Sequence, residues 1–232
     1  MEKLAVIIPA AGSGTRMGSE TPKPFLKVGG KPILWHTIYA FSKVDIVEQI
    51  IISTSQNWID QVEQLCLSIP NKKIKYQVIL GGSKRQYSIQ NGLNHLLDDI
   101  GMVGVHDAVR PFITTSLIIE TTQVAIKFGG AIVGVPAKDT IKKVDHNKCI
   151  QDTPDRSNLW QAQTPQIFKK NLIINAYNSA INDNFIGTDD ASLVERVGGK
   201  VKIVEGNRSN LKITYPVDLK IAEMILKQEK EV

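Results

Sequence analysis

Apolar residues along the chain fall into short unbroken runs that alternate with stretches whose apolar positions recur every three or four residues. This is the pattern of alternating buried strands and amphipathic helices, and it predicts an α/β fold, doubly wound, with a mostly parallel Rossmann-like sheet and helices on both faces. Leu4-Ala5-Val6-Ile7-Ile8 has no polar face, as a strand covered on both sides requires, and Pro9 ends its ladder. A helix is predicted over 31–41, with Pro32 in its first turn and residues 33, 34, 38 and 41 facing inward. Within it, Trp35 and His36 read as packing residues. A strand follows over 49–54, then a helix whose inner face is Ile59, Val62, Leu65, Cys66 and Ile69.

Further strands are predicted over 74–80, 101–111, 130–136 and 200–204, and helices entered from a glycine turn within 81–93, near 170–180, from 188 and over 216–227. Residues 138–154 differ in kind. They are polar, alternate in Thr140-Ile141-Lys142-Lys143-Val144, and carry the turn signal Asp145-His146-Asn147-Lys148. We read a β-arm, returning to the sheet by about residue 156, that projects from a single domain and pairs with a second copy in a homodimer. No internal repeat or linker marks another domain, and the Lys-Glu tail at 227–231 reads as a solvated end.

The first strand empties into Ala10-Ala11-Gly12-Ser13-Gly14-Thr15-Arg16-Met17-Gly18. Glycines there let backbone amides approach an anion, and Arg16 and Lys23 add fixed positive charge, so the loop reads as a cradle for a nucleotide triphosphate. A plain strand-to-helix turn would need neither cation. A dinucleotide fingerprint fails, because Met17 stands where its last glycine belongs, and no Gly-Lys-Ser/Thr follows for a Walker loop. A second glycine turn, Gly81-Gly82-Ser83-Lys84-Arg85, opens on the same carboxyl edge if the strands are parallel. Its plainer reading is a helix entry capped by Ser83.

The strand before His106-Asp107-Ala108-Val109-Arg110-Pro111 ends at that edge too. Asp107 is the candidate ligand for a divalent metal bridging carboxylate and phosphates. Its alternatives are a helix cap or an ion pair with Arg110. No nucleophile stands beside His106, which reads as structural. Thr188 or Asp189 caps the next helix, and the acids there need be no more than caps.

At 232 residues with a formal charge of +5, the cations are dispersed rather than blocked, which favours small anions over nucleic acid. Cys66 and Cys149 are far apart and show no zinc pattern, fitting a reducing compartment. With no apolar run of membrane length and a strand beginning almost at once, the expectation is a soluble, cytoplasmic chain that contacts no membrane.

In order along the chain, Ala10-Ala11-Gly12-Ser13-Gly14-Thr15-Arg16-Met17, Pro22-Lys23, Gly81-Gly82 with Arg85 and Ser88, Val105-His106-Asp107-Ala108 with Arg110-Pro111, Asp139-Thr140-Ile141-Lys142, Gln163-Thr164-Pro165-Gln166 and Asn210-Leu211-Lys212-Ile213-Thr214 resemble the 2-C-methyl-D-erythritol 4-phosphate cytidylyltransferases. The resemblance implies CTP and 2-C-methyl-D-erythritol 4-phosphate as substrates, with Mg2+ or another divalent cation as cofactor, and the cytidine diphosphate derivative and pyrophosphate as products. It implies Arg16, Lys23 and Lys212 as catalytic cations. Ala10, Ala11, Gly12, Ser13, Gly14, Gly81, Gly82, Arg85, Ser88, Asp107 and Ala108 would hold the nucleotide. Asp107, Arg110, Thr140, Arg156 and Thr164 would hold the polyol phosphate, with Thr140 and Arg156 reaching across from the partner's arm. Pro24 and Val109 depart from the family pattern. The ribitol-5-phosphate cytidylyltransferases resemble the chain in the same loops and often carry valine at 109, so they are the alternative. A non-catalytic nucleotide sensor, a third reading, would not need to retain both loop cations.

Overall fold

A computed structural model describes residues 2–12, 21–71 and 73–228. The elements in chain order are β1 (Leu4–Pro9), β2 (Lys27–Val28), β3 (Lys31–Pro32), α1 (Ile33–Ser42), β4 (Val47–Thr54), α2 (Ile59–Leu67), β5 (Lys75–Leu80), α3 (Arg85–Leu93) and β6 (Met102–Val105). They continue with α4 (Thr115–Phe128), β7 (Gly130–Pro136), β8 (Lys143–Val144), β9 (Ile150–Asp152), β10 (Trp160–Lys169), α5 (Lys170–Asn182), α6 (Asp190–Arg196), β11 (Val201–Glu205) and α7 (Pro216–Gln228).

Seven strands form the main sheet in the order β11-β7-β10-β6-β1-β4-β5. β1 is its centre: Leu4, Ala5, Val6, Ile7 and Ile8 are fully buried. Because side chains alternate across a strand, Leu4, Val6 and Ile8 pack with Leu34, Phe41, Val62 and Ile118 of α1, α2 and α4, while Ala5 and Ile7 pack with Ile89, Ile173, Tyr177 and Val194 of α3, α5 and α6. Two cores on opposite faces make the sheet doubly wound. Gly92 lets α3 lie close, since a Cβ there would stand 2.8 Å from Ile7 Cγ2.

β1 pairs in parallel with β4 and β6, and β5 with β4, so the segments after β1, β5 and β6 open on one edge, as expected. One strand breaks the pattern. β10 lies antiparallel between β6 and β7, with Gln166 opposite Val105. Its reversed direction delivers Gln163 and Thr164 to the same edge, which a purely parallel reading of the chain does not anticipate.

Other boundaries move for local reasons. β6 stops at Val105 instead of running to Pro111, because Arg110 N turns back to Asp107 O at 3.1 Å. Pro32 precedes α1 as its N-cap, having already paired in β3, and Lys84, not Ser83, occupies the N-cap of α3. Trp35 and His36 pack as predicted: indole Nε1 donates to Ser68 Oγ at 2.9 Å, and His36 Nε2 lies 2.8 Å from Val28 O.

Residues 143–152 form a separate hairpin in which β8 and β9 pair antiparallel around a turn closed by Asp145, whose Oδ1 accepts from Asn147 N and Cys149 N, both at 2.9 Å. Val144 and Ile150 are exposed on it. Among the described residues, no helix is long and apolar enough to cross a membrane. The end of the predicted tail at 229–231 lies outside the described residues.

Candidate active site

Two cavities adjoin at the carboxyl edge. The first, about 320 Å³, is lined by Ala10, Ala11, Gly12 and Lys23 after β1, by Gly82, Arg85 and Ser88 at the entry to α3, and by Asp107, Ala108 and Lys212. The second, about 350 Å³, is lined by Arg110, Thr164, Gln163, Gln166, Thr188 and Asp189. Arg85, Asp107 and Lys212 line both, forming a shared wall.

The two glycine turns interlock. Ala10 N donates to Ser53 O and Gly81 N to Thr54 O, each at 2.7 Å, which pins both turns to the end of β4. A Cβ on Gly81 would lie 2.5 Å from Ala11 Cβ, so only glycine allows this approach. Ser88 Oγ accepts from Gly82 N at 3.0 Å and donates to Lys84 O at 3.2 Å. Its hydroxyl is therefore committed to shaping the second turn. Ser13, Gly14 and Arg16 lie outside the described residues.

Lys23 is buried, and its Nζ donates to Thr214 O at 3.0 Å. Thr214 is itself held by the start of α7, where Asp218 Oδ2 accepts from Thr214 N and Tyr215 N, both at 2.7 Å. The first turn is thus tied to the last loop of the chain. Among the described residues, Lys23, Lys84, Arg85 and Lys212 give the first cavity four cations against the one carboxylate of Asp107, an environment for a polyanion.

Asp107 is the electrostatic focus. Its Oδ2 lies 3.1 Å from both Arg110 Nε and Lys212 Nζ, and its Oδ1 lies 3.7 Å from Arg85 Nε. Burial opposes its ionisation, but Lys212, Arg85 and Arg110 more than reverse that, holding the carboxyl well below the usual range. The ion pair with Arg110, the plainer alternative for this aspartate, is present. The backbone around it is fixed from several sides: Asp107 N donates to Thr164 Oγ1 at 3.0 Å, Thr37 Oγ1 to Ala108 O at 3.0 Å, and Arg110 Nη1 to Asn210 O at 2.8 Å. Burial lowers the Arg110 pKa, and Asp107 offsets part of that.

Among the described residues there is no cluster of three or more metal-ligating side chains. The donor set still fits a hard divalent cation. Mg2+ commonly takes one or two carboxylates and completes its shell with substrate phosphates and water, and Asp107 Oδ1 makes no hydrogen bond among the described residues.

His106 is fully buried, its Nε2 3.0 Å from Arg110 O, and burial pushes its pKa down to about 4. It braces the turn, the structural role predicted for it. Thr140 and Arg156 line neither cavity, and Arg156 Nη1 donates to Lys138 O at 2.8 Å within the arm. Gln163, Asn210 and Asp190 join the site without a mark in the sequence that assigns them to it: the first two are uncharged amides inside longer motifs, and Asp190 has the position of a helix cap beside Asp189.

The chain is similar to known proteins over nearly its whole length. Residues 4–228 match the family model IspD, 2-C-methyl-D-erythritol 4-phosphate cytidylyltransferase. The chain is 42% identical over 225 residues to the 2-C-methyl-D-erythritol 4-phosphate cytidylyltransferase of Caldanaerobacter subterraneus subsp. tengcongensis, covering 97% of this chain and 99% of that one. It is 44% identical over 226 residues to the protein of the same name from Bacillus mycoides, covering 97% and 99%. Its fold is similar to the crystal structure of 4-diphosphocytidyl-2C-methyl-D-erythritol synthase from Anaerococcus prevotii, with a TM-score of 0.87, 32% identity, and coverage of 97% of this chain and 96% of that one.

Proposed function

Because the chain belongs to the 2-C-methyl-D-erythritol 4-phosphate cytidylyltransferase family, we propose that it joins CTP and 2-C-methyl-D-erythritol 4-phosphate to give 4-diphosphocytidyl-2-C-methyl-D-erythritol and pyrophosphate. The observation that carries the reading is the charged wall of Arg85, Asp107 and Lys212 standing between two adjoining cavities, the first lined by both glycine turns and Lys23 and read as the nucleotide's, the second lined by Arg110 and Thr164 and read as the polyol phosphate's. The names of the relatives favour methylerythritol phosphate over ribitol 5-phosphate.

The reaction needs no protein nucleophile. A phosphate oxygen of the polyol substrate forms a bond to the α-phosphorus of CTP, the bond from that phosphorus to the bridging oxygen breaks, and its electron pair leaves with pyrophosphate. What remains for the chain is to align the two phosphates and oppose the charge that develops between them. Lys23 and Arg16 act from the nucleotide side. Lys212 stands in the wall itself and reaches both phosphates, while Arg110 and Thr164 orient the polyol phosphate. Asp107 keeps Lys212 and Arg110 in place and offers Oδ1 to Mg2+. When bound, the metal would neutralise triphosphate charge as a Lewis acid.

The arm completes the assembly in this reading. In a homodimer, Thr140 and Arg156 of one protomer reach the polyol cavity of the other, which accounts for their standing outside both cavities of their own chain.

The test is pyrophosphate release from CTP with each polyol phosphate, with and without Mg2+. Release with methylerythritol phosphate, abolished by chelation and restored by Mg2+, is expected. Release only with ribitol phosphate moves the assignment to the sister activity, and release with neither leaves a nucleotide-binding protein.

A further inference from the structure

Behind the shared wall lies a second carboxylate. Asp190, 1% exposed, accepts from Arg85 Nη1 at 3.1 Å through Oδ1 and from Arg85 Nη2 at 2.8 Å through Oδ2, and Oδ1 also accepts from the buried Tyr177 hydroxyl. The helix needs no such partner. The cap of α6 belongs to Asp189, whose Oδ1 accepts from Ser192 N at 2.9 Å. One N–H of each terminal nitrogen of Arg85 is thus held from behind, while Nε faces Asp107.

With Asp190 buried but the Arg85 side chain 37% exposed, the pair is a poor device for stability alone, because desolvation of the carboxylate and solvent screening at the arginine cancel much of the attraction, but a bidentate fork fixes the position and angle of a guanidinium. Burial opposes the charge on Arg85, and Asp190 and Asp107 overcome it, so the group stays a cation between two carboxylates. Held in this way, Arg85 is a fixed charge in the wall and not a free fork that swings onto a phosphate.

We propose that Asp190, steadied by Tyr177, is a positioning residue that locks Arg85 into the wall between the two cavities and thereby sets the register of the two substrate phosphates. The proposal rests on the cytidylyltransferase reading for its kinetic consequence.

The experiment compares Asp190→Asn, Tyr177→Phe, Arg85→Met and the double variant Arg85→Met with Asp190→Asn, each checked for folding by thermal melting. Displacing a group that aligns reactants costs on the order of 100-fold in rate. Asp190→Asn is therefore expected to lower kcat by about that factor with the KM for CTP little changed, and Tyr177→Phe to lower it less. In the Arg85→Met background, Asp190→Asn should cost no further kcat, because the group it positions is gone. Equal fractional losses in both backgrounds, or wild-type kcat in folded Asp190→Asn, overturn the proposal. If Asp190→Asn does not fold, wild-type kcat in Tyr177→Phe does so. A readout independent of turnover is NMR of the 15N-labelled Arg85 guanidinium, expected to show hindered rotation in the wild type and faster rotation in Tyr177→Phe. Free rotation in the wild type overturns the lock even if the chain proves to have no transferase activity. Hindered rotation without pyrophosphate release supports the lock and overturns the function.

Discussion

Asp107 and Lys212 stand 105 residues apart in the chain and meet at 3.1 Å, Oδ2 to Nζ, in the wall that separates two cavities. A side chain that is 46% exposed on one partner and 10% on the other makes this a pair open to substrate on the lysine side. Loss of one charged donor aimed at a developing phosphate charge costs about 10²–10³ in kcat. Lys212→Ala should show a loss of that order in pyrophosphate release, with a much smaller effect on CTP affinity by calorimetry.

Lys23 is held in its cavity by Thr214 O. If its charge acts mainly as the α-phosphorus changes partners, Lys23→Ala lowers kcat far more than it weakens CTP binding. Equal losses in the two measurements would make it a binding residue only.

Gly81 allows the two turns to touch. In Gly81→Ala the new methyl stands 2.5 Å from Ala11 Cβ and 3.1 Å from Ser88 Oγ, so the turns must separate. The expected cost is about 1–3 kcal/mol of stability by urea unfolding, as for other overpacked sites, together with weakened CTP binding. Unchanged CTP affinity would show that the close approach does not shape the nucleotide site.

His106 supplies a pH dependence. Burial brings its folded pKa to about 4 from an unfolded value of 6.5, while Asp107, Arg110 and Arg85 act on it in opposing directions. The fold therefore retains the neutral ring, and its stabilising contribution is full above pH 6.5 and lost as pH falls toward 4, by up to about 3 kcal/mol. Urea unfolding at steps between pH 7 and 4.5 should show this slope, and His106→Gln should remove it.

Val144 and Ile150 leave an apolar strip exposed on the arm, at 47% and 63%. If the arm docks on a second copy, Val144→Asp with Ile150→Asp yields a monomer by sedimentation and loses turnover. A monomer with full turnover would remove Thr140 and Arg156 from the partner's site.

The local patterns were legible where the physics is local. An apolar run with no polar face has only a sandwiched strand to become, and β1 is buried from Leu4 to Ile8; 130–136 is the strand expected, to the residue. Asp145 and its neighbours announced the hairpin turn through side-chain-to-backbone bonds that need no tertiary partner. Arg85 and Asp107 could be picked out as chemical candidates because charge at the end of an apolar run has no packing purpose.

The antiparallel course of β10 had no such mark, since direction within a sheet depends on which strands are already neighbours. The same holds for Asp190. Its sequence position beside Asp189 is that of a helix cap, and only the tertiary approach of the first residues of α3 and α6 puts the Arg85 fork over it. By itself, then, the sequence determined which segments are buried, which loops carry charge, and which family they resemble. Tertiary structure decided which charges meet, because Asp107, Lys212 and Asp190 acquire their partners through strand order and helix packing, and an ion pair across the sheet edge leaves no periodicity in the chain.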